Sequence, residues 1–214
     1  MKLKICCMAS LDEARLAHRY GATAIGFVGA MPSGPGIISD TQAREIVATA
    51  PNGLETFLLT SRETASDIAD HATFCGTSTI QIVRHVDPSV LETLRKKIDI
   101  KIVQVVHVED QTSVDLAQAY APLVDALLLD SGRPGAPTAE FGGTGRTHDW
   151  ALSQQIVQDA SVPVYLAGGL DADNVSRAIA QVQPDGVDLC SGVRTDGHLD
   201  EAKLRAFTAA LGIS

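Results

Sequence analysis

Cys6 and Asp130 are the side chains of this 214-residue chain whose types and positions suit proton transfer. Cys6 closes a short apolar run, Leu3 to Cys6, and Asp130 closes another, Val124 to Asp130. Side chains alternate across an extended strand, so Lys4 and Cys6 share one face while Ile5 and Cys7 share the other. Only one of the two adjacent cysteines is therefore expected in a site. In the second run Ala126, Leu128 and Asp130 face one way. A carboxyl at the end of a leucine run meets desolvation, which raises its pKa and suits it to act as an acid. A thiol across the same opening can act as the matching base. Plainer readings exist: a free cysteine is commonly a small buried hydrophobe, and an aspartate after a strand commonly caps a loop. Taken one at a time, those plainer readings are the stronger.

A second chemistry lies between Val162 and Arg194, which reads twice as an apolar run ending in glycine. The first run ends Ala167-Gly168-Gly169-Leu170 and the second ends Cys190-Ser191-Gly192-Val193. Two neighbouring parallel strands that end this way set free backbone N–H groups side by side, with no Cβ atoms to keep an anion away. Gly168, Gly169, Ser191 and Gly192 are thus expected to cradle a phosphate, although one such turn alone would be read as a tight connection only. Asp188, inside the second run, must find donors, and is either a brace or a substrate contact. Cys190 reads as packing. His85 and His107 lie near strand ends and can reach the mouth, whereas His18, His71 and His198 read as solvated.

These residues need a frame that gathers strand ends. Eight apolar runs, rich in Ile, Val and Leu as buried parallel strands are, alternate with helical patterns: Leu3 to Cys6, Ala24 to Val28, Glu55 to Leu59, Thr79 to Val83, Ile100 to Val108, Val124 to Asp130, Val162 to Ala167 and Gly186 to Cys190. Capping-box spacing marks helix starts at Ser10 with Glu13, Ser39 with Gln42 and Thr60 with Glu63. Asp87 before Pro88, and Asp171, are further caps. Eightfold β then α predicts an α/β fold, a single (β/α)₈ barrel over residues 1–214, with an open doubly wound sheet as the alternative. Long glycine-rich segments, Gly29 to Ile38 and Ser131 to His148, follow the second and sixth runs, where a barrel carries its substrate loops.

Composition narrows the partners. With 45% hydrophobic and 20% charged residues the chain can bury a large core, and a net charge of −9 argues against nucleic acid or an anionic membrane as partner. Cys6, Cys7, Cys75 and Cys190 match no zinc or disulfide spacing. No apolar run is long enough to span a bilayer and the N-terminus has no signal-peptide pattern, so a cytoplasmic location is expected.

Taken together, Lys4-Ile5-Cys6, Gly21 to Val28, Leu128-Leu129-Asp130, Phe141 to Trp150, Leu166 to Leu170 with Asn174-Val175, and Val187 to Val193 resemble the phosphoribosylanthranilate isomerase family of tryptophan biosynthesis from end to end. The resemblance implies a (β/α)₈ barrel and an aldose-ketose isomerase working on a phosphorylated sugar-amine, without metal or organic cofactor. It implies Cys6 as general base, Asp130 as general acid and the two glycine turns as the phosphate site. Four positions depart from the family pattern. Cys7 stands where glycine usually follows the cysteine. Gly36 stands where the second loop usually carries an arginine for the anthranilate carboxylate. Strand 4 ends Gln81-Ile82-Val83-Arg84 in place of Gln-Leu-His-Gly, and Arg194 replaces the final acid. Gln81 is expected at the substrate, and Arg84, Arg133 or Arg194 is expected to meet the carboxylate, because an arginine fork matches it. The alternatives are an isomerase or epimerase of another sugar phosphate, or a non-catalytic phosphometabolite-binding homologue.

Overall fold

The computed structural model describes residues 1–32, 34–133 and 145–213. Eight strands, β1 (Lys2–Ile5), β2 (Ala24–Val28), β3 (Glu55–Thr60), β4 (Thr79–Ile82), β5 (Lys101–His107), β6 (Ala126–Asp130), β7 (Val164–Leu166) and β8 (Gly186–Leu189), close into a parallel barrel in chain order. Strand β1 pairs with β8, Lys4 opposite Asp188 and Ile5 opposite Leu189. That pairing excludes the open doubly wound sheet. Helices α1 (Leu11–Arg19), α2 (Asp40–Thr49), α3 (Ala65–Cys75), α4 (Pro88–Arg95), α5 (Thr112–Tyr120), α6 (Trp150–Asp159), α7 (Val175–Val182) and α8 (Glu201–Ala210) follow the strands in turn. A short antiparallel pair, β9 (Arg194–Thr195) with β10 (His198–Leu199), lies between β8 and α8 and has no counterpart in the sequence expectation. Phe141 to Thr144 of the quoted motif, and most of the long loop after β6, fall outside the described residues.

Strand parity sorts the core into two layers. Leu3, Ile5, Phe27, Leu58, Ile80, Leu127, Leu129 and Val187 point outward and pack beneath the helices, each fully buried aliphatic contributing about 1.5–3 kcal/mol. Val28, Phe57, Leu59, Val103, Val105, Leu128 and Tyr165 fill the interior. Below the mouth the Phe57 ring meets Tyr165 edge-on, with centroids 6.1 Å apart, and the Lys4 ammonium lies 5.1 Å from the Phe57 centroid. Helix starts follow the sequence at Ser10, Ser39 and Asp87, whose side chains accept from Glu13, Gln42 and Ser89 N–H. The third differs. Thr60 is a buried strand residue, and Thr64 caps α3 by accepting from Asp67 N–H. Asp171 caps the turn ahead of α7, taking the N–H groups of Asp173 and Asn174.

Candidate active site

A cavity opens at the carboxyl ends of the strands, and Cys6, Asp130, Gln81, Asp188, Gly168 and Gly169 are among the residues that line it. Cys6 leaves β1 with its N–H on the Leu189 carbonyl, 2.9 Å away. Room for its sulfur comes from Gly26 on β2: a Cβ there would lie 2.8 Å from Cys6 Sγ and 3.2 Å from Lys4 Nζ. Thiol and ammonium therefore crowd one small volume.

Lys4 is completely buried and pairs with Asp188 at 2.8 Å. Burial opposes its charge, but the Asp188 carboxylate and the neighbouring thiols outweigh burial and hold the ammonium above its ordinary value. The same charge acts on the sulfur. A hydrogen bond from Cys7 first, and the Lys4 ammonium second, pull the Cys6 thiol down against burial. Asp130 goes the other way: desolvation lifts its carboxyl to about 6, against the Ser131 N–H that donates to it at 2.7 Å. A carboxyl raised above its ordinary value and a thiol lowered below its own thus share one opening.

Cys7 corrects the parity expectation. Strand β1 ends at Ile5, and Cys7 adopts φ +66°, in the left-handed region that costs a residue with a Cβ. The turn swings its side chain into the mouth, so both adjacent cysteines line the cavity, as does Cys190. Gly36 makes the turn possible, since a Cβ there would lie 2.6 Å from Cys7 Cβ.

The glycine turns meet the cavity as the sequence suggests for Gly168, Gly169 and Ser191. Gly168 and Gly169 take φ +82° and +63°, which turn the chain sharply with bare backbone toward the opening. Gly192 sits behind that surface. A Cβ on it would collide with the Leu170 carbonyl, so it permits the β8 turn to lie on the β7 turn. Gln81 is buried in the wall, with its Oε1 bonded to no described protein group.

The arginines are placed differently from the expectation. Arg194 is a buried clamp: it donates to Glu13 at 3.0 Å and to the carbonyls of Gly197, Cys6 and Cys7 at 2.9, 3.1 and 2.6 Å. It faces away from the cavity, toward the partly buried Glu13. Burial pushes the Glu13 carboxyl up, but Arg194 and the Ala9 and Leu199 N–H groups outweigh this and hold it below its ordinary value. Arg84 pairs with Glu63 at 3.1 Å, and Arg133 is exposed. Among the described residues lining the mouth none is arginine or lysine.

Two histidine expectations also change. His71 is buried, with Nε2 on Asp40 at 2.9 Å and Nδ1 on Thr60 at 3.0 Å. Asp40, His71 and Cys75 bring potential metal-ligand atoms within 4.8 Å of one another, but Asp40 is paired to both His71 and Arg62, a brace between α2 and α3. His85 and His107 stack with ring centroids 5.2 Å apart, and His107 Nε2 meets the Val83 carbonyl at 2.9 Å. Neither lines the mouth.

Lys4 is the buried charge beside Cys6 that the sequence reading did not single out. Its signal was available, a charge in an apolar strand on the same face as Cys6.

The family described as N-(5'phosphoribosyl)anthranilate (PRA) isomerase matches residues 3–210. N-(5'-phosphoribosyl)anthranilate isomerase of Desulforudis audaxviator is 39% identical over 208 residues, covering 96% of this chain and 95% of the relative. The crystal structure of phosphoribosyl anthranilate isomerase from Thermotoga maritima superimposes with a TM-score of 0.84 at 28% identity, over 99% of each chain. A structure of such an isomerase in complex with reduced 1-(o-carboxyphenylamino)-1-deoxyribulose 5-phosphate gives 0.81 at 26% identity, again over 99% of each. Agreement from strand to strand, in sequence and in backbone, leaves one conclusion: this chain belongs to the N-(5'-phosphoribosyl)anthranilate isomerase family.

Proposed function

We propose that this chain carries out the rearrangement of N-(5-phosphoribosyl)anthranilate to the corresponding 1-deoxyribulose phosphate, with Asp130 as general acid and Cys6 as general base. Asp130 gives its proton to the furanose ring oxygen, and the ring opens to a protonated Schiff base. That positive charge acidifies the C2′ hydrogen, which the Cys6 thiolate removes. The resulting enolamine tautomerises to the ketone, and proton transfer needs no other group. The observation that carries this reading is the opposed bias of the two groups at one mouth, Asp130 raised to about 6 and Cys6 lowered. Gly168, Gly169 and Ser191 hold the phosphate through backbone and hydroxyl donors, Gly192 lets that surface form, and Gln81 offers a polar contact in the wall. Asp188 holds Lys4 beneath the thiol. Arg84, whose pair with Glu63 is open to solvent, and the exposed Arg133 remain for the substrate carboxylate, since Arg194 is held on Glu13 away from solvent.

No described helix is long and apolar enough to cross a membrane, and all four cysteines are free thiols, which supports work in a reducing cytoplasm. A second reading, an isomerase for a sugar phosphate without an aromatic acid, draws support from the lack of a cationic side chain among the described lining residues. Turnover is followed by the fluorescence change of the anthranilate-linked substrate. Wild type is expected to turn over, and Cys6→Ser and Asp130→Asn each to lose about 10²- to 10⁴-fold in kcat. Wild-type turnover that survives both substitutions ends the acid and base assignment. Unchanged KM in Arg84→Ala and Arg133→Ala favours the second substrate.

A further inference from the structure

We propose that Cys6, Cys7 and Cys190 form an oxidation site for hydroperoxides, in which Cys6 takes the oxygen and the product is a Cys7 to Cys190 disulfide across the mouth. The inference rests on the preceding reading only for its effect on turnover. Its geometric basis is separate. Strands β1 and β8 run side by side with Ile5 opposite Leu189, so the residues that follow emerge together. Cys6 is tied to β8 by its N–H on Leu189. The left-handed turn at Cys7 brings that thiol onto the same wall as the other two. All three line the open cavity.

Ionisable, reachable thiols with a resolving thiol beside them are the ones that hydroperoxides oxidise reversibly. The Cys6 thiolate attacks the distal peroxide oxygen, forming an S–O bond as the O–O bond breaks. The departing oxide takes a proton, leaving Cys6 sulfenic acid. Cys7 then gives up its proton and attacks the Cys6 sulfur, and the hydroxyl departs as water. Adjacent Cα atoms across a trans peptide lie about 3.8 Å apart, inside the usual disulfide span of about 4.4–6.8 Å, so this bridge is strained. Cys190 gives up its proton and attacks the Cys7 sulfur; a Cys7 to Cys190 bond forms and Cys6, taking a proton, is released as thiol. Two thiols have been oxidised and one hydroperoxide reduced. The bridge ties the turn beside the base to the turn that carries Ser191, and it takes the free Cys7 thiol away from its place next to Cys6. Turnover falls until a reductant opens it.

The test treats the purified full chain with hydrogen peroxide and maps its peptides without reduction, while isomerase rate is read before treatment, after it, and after dithiothreitol. The expected result is a Cys7 to Cys190 cross-link, with loss of rate that dithiothreitol restores. Cys7→Gly, whose residue suits a positive φ, and Cys190→Ser are each compared with their own untreated rates. In Cys7→Gly, Cys6 is expected to pass to sulfinic acid, with loss that dithiothreitol does not reverse. A map in which Cys190 stays reduced, or in which wild-type Cys6 is over-oxidised as fast as in Cys7→Gly, overturns the proposal. A cross-link that leaves the rate unchanged overturns its control of turnover. Were the chain inactive on phosphoribosylanthranilate, the map alone would still decide the thiol chemistry.

Discussion

Two buried ion pairs join the first strand region to the last, and they do opposite work. Lys4 and Asp188 meet at 2.8 Å and Arg194 and Glu13 at 3.0 Å, with side chains 0% and 8%, and 7% and 12%, exposed. Burial alone would not tell them apart. Their surroundings do. Arg194 spends its fork on Glu13 and on three backbone carbonyls, so its main result is mechanical, with only a smaller part of its field felt at Cys7 and Cys190. Lys4 has one carboxylate and then the Cys6 sulfur, so part of its field reaches a group that can ionise. The number of acceptors around a buried cation, more than its depth, decides whether it holds chain together or tunes chemistry.

The comparison breaks most readily at Lys4. Lys4→Met leaves Asp188 buried without a partner and is expected to cost about 3–5 kcal/mol by denaturant unfolding. It should also shift alkylation of Cys6 by iodoacetamide to higher pH, because a lowering influence on the thiol is gone. Pairing it with Asp188→Leu should recover much of the stability but not the thiol shift; recovery of both would make the pair mechanical too. Arg194→Met comes next, at about 2–3 kcal/mol from carbonyls and a carboxylate left unpaired. With a mechanical role, KM of the folded fraction should hold, and a raised KM at full stability would return Arg194 to the substrate.

A third change, similar in size to the second, sharpens the electrostatic side. Asp130 is lifted to about 6 from 3.8 chiefly by desolvation, with Asp188 adding to and Lys4 opposing the shift. A raised carboxyl costs stability as pH climbs from the unfolded value through the folded one. Asp130→Asn should therefore gain about 2–3 kcal/mol of stability above pH 7 and nothing below pH 4, read by melting at both, even as it loses turnover.

Most of the frame was legible because buried parallel strands are runs of Ile, Val and Leu closed by turns, and the β2 range, Ala24–Val28, is that of the sequence reading. The inward facing of Asp130 followed from parity, which holds while the chain stays extended. Cys7 escaped parity because β1 stops at Ile5. Thr60 with Glu63 and Thr64 with Asp67 have the same spacing, and only burial in β3 decides that the second pair caps α3. By position Arg194 looks mouth-facing and His71 solvent-facing. Their partners, Glu13 and Asp40, lie 181 and 31 residues away, a distance at which no local pattern speaks.

Phe57, Tyr165 and Lys4 also set the traffic of the site. They stopper the barrel beneath the mouth, which makes the chamber a blind well. Whatever enters must back out by the same door, so spent ligand and fresh ligand contend for one doorway, and accumulating product should act as a competitive inhibitor.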